Sequence, residues 1–272
     1  MFAINTRFIV RLSLLFLLVG CSVLQARASS VSRVTATSPI GNFTYINDPY
    51  FDGHPERVLI VTQNFNVYNN HHIGVWYDTA WNKWAIFNQD RLAMPVDASF
   101  NVLASNPSSN VFTHIAGGTT GHVTYIDSPA TNGHPEAKLF VTSSYNPYSV
   151  YNNHAIGVWY DAYRHQWAIF NQDFAPMPYG AAFNVVVMPP DAVWVYTHVA
   201  TAANSTGDYT LLTASAWDTF VFITPTFSPY GVYSNHESGV WFTGSAWSIF
   251  NEDLAAVPNG AGFNVWVMPT PQ

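Results

Sequence analysis

Gly74-Val75-Trp76-Tyr77, then Trp84-Ala85-Ile86-Phe87-Asn88-Gln89-Asp90, then Phe100-Asn101-Val102: this stretch decides the fold, because the chain spells it three times. The second copy reads Gly157-Val158-Trp159-Tyr160, Trp167-Ala168-Ile169-Phe170-Asn171-Gln172-Asp173 and Phe183-Asn184-Val185. The third reads Gly239-Val240-Trp241-Phe242, Trp247-Ser248-Ile249-Phe250-Asn251-Glu252-Asp253 and Phe263-Asn264-Val265. An Asn-His pair precedes each: Asn70-His71, Asn153-His154 and Asn235-His236. Self-similarity of this length at a fixed spacing marks a repeat architecture, which must be read before any local motif.

Working outward, Thr113-His114-Ile115-Ala116 matches Thr197-His198-Val199-Ala200 and, more loosely, Ser32-Arg33-Val34-Thr35, so repeats of about 80 residues occupy 33–112, 113–196 and 197–270. Their segments are short, rich in Val, Ile, Phe, Tyr and Trp, and separated by Gly, Pro, Asn and Asp clusters, the pattern of strands and turns. Amphipathic helix periodicity is absent beyond the leader. The expectation is an all-β protein of three small antiparallel sandwich or barrel-like units. The short linkers near 106–109 and 189–191 favour units in contact, with pseudo-threefold packing as one arrangement and a string of beads as the other.

The gap from Trp76 to Trp84 matches that from Trp159 to Trp167, while Trp241 and Trp247 lie two residues closer. A change of two keeps every side chain on its face, so these strands form a hairpin of variable tip. The connection from Asp90 through Pro95 to Phe100 keeps its length in all copies, with Pro178 and Pro258 in the others, which predicts a shaped loop packed on the body.

Strand alternation puts Trp84, Ile86, Asn88 and Asp90 on one face, matched by Trp167, Asn171 and Asp173 and by Trp247, Asn251 and Asp253. An indole beside an Asn and an Asp suits a sugar, the ring stacking on a pyranose and the polar pair bonding its hydroxyls. The same residues equally suit a core face whose Asn and Asp tie down the next loop. His71, His154 and His236 are three equivalent imidazoles, one per unit, read either as ligand-binding groups or as hydrogen-bond partners inside their own units. His72 has no counterpart, since Ala155 and Glu237 stand in its place, and carries little weight. The segments Asp52-Gly53-His54-Pro55-Glu56 and Asn132-Gly133-His134-Pro135-Glu136 read as turns, and Ser215-Ala216-Trp217-Asp218 replaces them in copy three. Neither a metal nor a cofactor is called for.

Residues 1–28 read as an export signal, with Arg7 and Arg11 before a short apolar run. Cleavage before Cys21 would make a lipoprotein and cleavage after Ala28 a freely secreted protein; a lipid on Cys21 is the membrane attachment the sequence suggests. Beyond the leader, six Lys and Arg face sixteen Asp and Glu, about −10, which argues against nucleic acid and against polyanions in general. No nucleophile elbow, zinc-protease helix or phosphate loop is present, so no enzyme is expected. Oligomeric state is not legible.

The Gly-Val-Trp-Tyr to Ile-Phe-Asn-Gln-Asp stretch, with its Met-Pro loop and Phe-Asn-Val strand, resembles a repeat of uncharacterised secreted bacterial proteins that occurs in tandem. The resemblance implies export and modular construction, and carries over no catalytic residue or ligand. The expectation is an exported, multivalent, lectin-like module at the cell surface, in the outer membrane as a lipoprotein, or secreted, binding carbohydrate or another extracellular polymer. A structural or adhesive envelope protein is the alternative, and a hydrolase of envelope polymers the third.

Overall fold

The computed structural model describes residues 29–270 except 119. The export leader and the Cys21 lipidation expectation lie outside them. Unit one comprises β1 (Ser29–Thr35), β2 (Phe43–Tyr45), β3 (Val58–Asn64), β4 (Ile73–Asp78), β5 (Lys83–Asn88) and β6 (Ser99–Ser105). Unit two repeats the order with β7 (Val111–Ile115), β8 (Val123–Tyr125), β9 (Lys138–Ser144), β10 (Ile156–Asp161), β11 (Gln166–Asn171) and β12 (Ala182–Met188). Unit three comprises β13 (Val195–Val199), β14 (Ser205–Thr206), β15 (Tyr209–Leu211), β16 (Thr219–Thr226), β17 (Ser238–Phe242), β18 (Trp247–Asn251) and β19 (Gly262–Pro269).

Units one and two split their strands into two triplets that face one another, unit three into a triplet and a group of four ending in the short β14, and each core fills the space between. In unit one Leu59, Val61, Phe100 and Val102 pack from the β1-β6-β3 side against Val75, Tyr77, Trp84 and Ile86 from the β2-β5-β4 side. The triplets then continue into the neighbouring units. Three sheets result, ordered β1-β6-β3-β17-β18-β15-β14, β2-β5-β4-β9-β12-β7 and β13-β19-β16-β10-β11-β8. Pairing is antiparallel inside a unit and parallel at each seam, where β4 meets β9, β10 meets β16 and β17 meets β3. Every unit therefore shares a sheet with both others, and the three close into one body around a pseudo-threefold axis. The beads alternative is excluded.

Three rings of hydrogen bonds repeat that symmetry. The amides of Val61, Val141 and Ile223 donate to the hydroxyls of Thr142, Thr224 and Thr62. The Asn of each Phe-Asn-Val motif donates across a seam, Asn101 to the Val221 carbonyl, Asn184 to Leu59 and Asn264 to Leu139, at 3.0 to 3.1 Å. Tyr145, Phe227 and Phe65 donate their amides to the carbonyls of Val75, Val158 and Val240. Between these bonds the axis is filled by Ile60, Phe140 and Phe222, with Leu103, Val186 and Val195.

The repeated glycine before Val-Trp has a steric origin. A Cβ on Gly74 would stand 2.8 Å from the Phe87 ring, and on Gly157 2.7 Å from Phe170, inside van der Waals contact. The loop after β5 is shaped as expected. Arg91, Phe174 and Leu254 all take left-handed backbone (φ 63, 64 and 62°), and Met94, Met177 and Val257 are buried beneath.

One alignment shifts. Strand register sets Arg33 opposite Asn101, as Thr113 lies opposite Asn184 and Thr197 opposite Asn264. The first copy of the upstream motif is thus Arg33-Val34-Thr35-Ala36, one residue later than the looser sequence match.

Candidate functional site

The tryptophans expected to stack on a ligand are core. Trp84, Trp167 and Trp247 are 2 to 3% exposed, and their Nε1 atoms donate to the carbonyls of His54, His134 and Ala216. A ring with no open face cannot receive a sugar. The turn segments of copies one and two, and Ala216 in copy three, therefore cap a core indole. Asn88, Asn171 and Asn251 are fully buried and donate to carbonyls of the following loop, Leu92 and Ala93, Ala175 and Pro176, and Ala255. Alternation misled because both faces of β5 are covered, one by its own unit and the other by the next, as in a sheet buried on both sides. Ala85, Phe87 and Gln89, on the other face, are buried too.

Asp90, Asp173 and Asp253 lie just past their strands, and each meets its own unit's imidazole. His71 Nδ1 stands 2.6 Å from Asp90 Oδ2, His154 2.6 Å from Asp173 and His236 2.7 Å from Asp253. The other carboxyl oxygen accepts from the amide of Leu92, Ala175 or Ala255. Burial opposes the charge on Asp173 and Asp253, yet those amides and the histidines hold both carboxyls below their usual range. The histidines thus bond within their own units, as the plainer reading of the sequence had it.

The residue that carried least weight, His72, lies on the axis. His72, Ala155 and Glu237 are equivalent by position, and the His72 imidazole pairs with Glu237 across the seam at 2.9 Å. Gln63 Nε2 also donates to Glu237, at 3.1 Å. Burial pushes His72 down, but Glu237, with Asp173 and Asp90 beyond it, leaves it net raised. These groups line a cavity of about 70 Å³ with Thr142, Ser143, His154 and His236. That volume suits a few waters rather than a sugar ring. Glu252 lies on the same seam. Gln89 and Gln172 accept from the amides of Asn152 and Ser234 and donate to the carbonyls of Ile156's equivalent, Ile73, and of Ile156 itself. Glu252 accepts from the Asn69 amide in the same way, and burial pushes its carboxyl up to about 8 against that bond, with Glu237 adding to the rise. A protonated Glu252 is the shape of the glutamine it replaces.

The open aromatic surface sits at the seams. Trp76 of unit one, half-buried, lines a groove of about 270 Å³ with Phe87 and with Tyr145 and Tyr151 of unit two. Trp159 and Phe170 do the same with Phe227 and Tyr233 of unit three, in about 210 Å³. At the third seam Trp241 and Phe250 meet Phe65 and Tyr68 of unit one, and a groove of about 300 Å³ opens beside Phe65 and Trp241. Close ring contacts fix these pairs: Tyr145 and Tyr151 are 4.8 Å apart, as are Phe227 and Tyr233, both tilted, and Phe65 and Tyr68 are 4.9 Å apart, edge to face. Trp76, Trp159 and Trp241 stand inside the quoted repeat, but their partners follow β3, β9 and β16, outside it. The pairing of those segments across a seam is a tertiary fact that no single repeat spells.

Among the described residues no group of three or more His, Cys, Asp or Glu gathers to hold a metal ion. No curated protein matches the chain, and no solved structure matches it. The sequence does match the family described as Domain of unknown function (DUF7452) over residues 21–82, 74–187 and 162–267. Those overlapping matches run almost the length of the chain in three tandem copies, and the protein belongs to that family.

Proposed function

We propose that the protein is a multivalent binder of carbohydrate or another extracellular polymer, and that its sites are the three seam grooves. The observation that carries this reading is the threefold recurrence of a half-exposed tryptophan facing an aromatic pair from the next unit, Trp76 with Tyr145 and Tyr151 being the first. Rings held by their neighbours lose little entropy on stacking against a sugar, and each groove is near the size of a small-ligand site. Three weak sites at fixed spacing gain avidity on a repeating polymer without any new contact. The export pattern in the sequence of residues 1–28, with the low charge, supports a role for such a binder outside the cytoplasm.

A glycan array probed with the wild type and with the triple variant W76A/W159A/W241A tests the reading. Binding of at least one glycan class that the folded triple variant has lost is the expected result; an array with no bound glycan opposes it.

A second reading, a structural or adhesive envelope protein, draws on isolated aromatic side chains standing out from the surface, Tyr163 at 94% exposure and Tyr179 at 80%. Sedimentation showing concentration-dependent polymers without ligand would favour it.

A further inference from the structure

The third groove differs from the other two. Arg33 takes the position that threonine holds in the other copies: Thr113 donates to Asn184 and Thr197 to Asn264, while Arg33 donates its Nε to Asn101. A threonine ends there. The arginine reaches on across the seam to the Thr219 carbonyl, with its guanidinium 5.5 Å from the Phe220 ring, and enters the groove lined by Asn64, Asn66, Trp217 and Trp241. Copy three has also lost the turn sequence of the other copies. Ala216 takes over the cap on Trp247, which leaves the neighbouring Trp217 ring 72% exposed at the same groove, beside Trp241 at 36%.

Two departures from the repeat, one in unit one and one in unit three, thus bring an arginine and an extra open indole to one place. The Arg33 guanidinium forms no ion pair among the described residues, not even with Asp218 next to Trp217, and Nη1 makes no bond there. A guanidinium donates in a planar fork that matches a carboxylate, and weak hydration lets it work beside aromatic rings. Asn64 and Asn66 add amide groups suited to hydroxyls.

From this geometry we infer that the groove of Arg33, Trp217 and Trp241 is a site for an acidic saccharide, a uronic acid ring whose carboxylate meets Arg33 while its face stacks on an indole. This rests on the reading of the seam grooves as sugar sites and names the ligand chemistry of one of them.

The test compares a short oligogalacturonide with its methyl ester by titration calorimetry, at low salt, for the wild type, Arg33→Thr and Trp217→Ala. Thr is the residue that the equivalent positions carry, so the Asn101 bond and the fold survive, and Trp217 is too exposed to matter for folding. The wild type is expected to prefer the free acid by about 10-fold or more, as one charge-assisted hydrogen bond would give. Arg33→Thr abolishes that preference, and Trp217→Ala weakens binding of the acid. Equal affinity for acid and ester, or a preference that survives Arg33→Thr, overturns the inference and leaves the neutral grooves standing. If neither oligosaccharide binds and the glycan array is also blank, this inference and the groove reading fall together. A sulfated oligosaccharide that binds in place of the uronide overturns the carboxylate assignment.

Discussion

Asn101 donates its side-chain amide to the carbonyl of Val221, 3.0 Å away and 120 residues along the chain, and that bond ties unit one to unit three. Its equivalents Asn184 and Asn264 tie the other seams, so an asparagine that sits in the middle of a strand motif is a fastener between units. Asn184→Ala would leave the buried Leu59 carbonyl without its donor, at a cost of about 1–3 kcal/mol. Denaturant unfolding should show that loss, with a similar loss for Asn101→Ala and Asn264→Ala, since each removes one member of the same ring.

Gly74→Ala and Gly157→Ala test the close approach of the phenylalanine rings. With a Cβ at 2.7–2.8 Å from ring carbons, Phe87 or Phe170 must move into the seam it helps to build. Overpacking of this kind costs about 1–3 kcal/mol. Thermal unfolding should fall accordingly, and Phe87→Leu in the Gly74→Ala background should recover part of it.

Stability should depend on pH through Glu252. A carboxyl whose usual value is 4.5 and whose folded value is about 8 binds its proton more tightly in the folded state, so its contribution is complete below pH 4.5 and is lost as pH rises to about 8. Over that window the fall is up to roughly 1.4 kcal/mol per pH unit. The raised His72 acts with the same sign, its share vanishing as pH passes its folded value. Glu252→Gln should flatten the profile, because Gln89 and Gln172 make the same bond at the other seams without a titrating group. Melting temperatures recorded from pH 5 to 9 for both proteins check this; a parallel slope in the variant would contradict it.

Core and groove tryptophans should separate cleanly. Trp84→Phe leaves the His54 carbonyl without its indole donor and should cost about 1–3 kcal/mol while leaving glycan affinity in the remaining folded protein unchanged. Trp76→Phe should scarcely alter the melt, and should weaken binding at its groove. Parallel melting and titration of the two variants distinguish the roles.

Much of the architecture was legible. The three copies, the all-β class, the hairpin from Ile73 to Asn88 and the shaped loop that follows all come from local pattern, and the structure holds them. The candidate face was not legible, for a physical reason. Sequence alternation separates two faces of a strand, but says nothing of which is covered, and β5 is covered on both. Repetition also hid the axis: matching the copies sets aside the positions where they differ, and His72, Ala155 and Glu237 are such a position. The odd histidine marked the point where symmetry breaks. Arg33 was obscured by a one-residue slip in the upstream alignment, which only the pairing with Asn101 corrects.

The central claim is that the seam tryptophans bind a polymer together. Affinity electrophoresis through gels containing the best polysaccharide from the array, run with the wild type, Trp76→Ala, the pair W76A/W159A and the triple W76A/W159A/W241A, tests it most directly. Retardation should fall at every step, by about 10-fold or more in apparent affinity for each groove lost, ending at free mobility in a triple variant that melts as the wild type does. A triple variant retarded as strongly as the wild type would contradict the account.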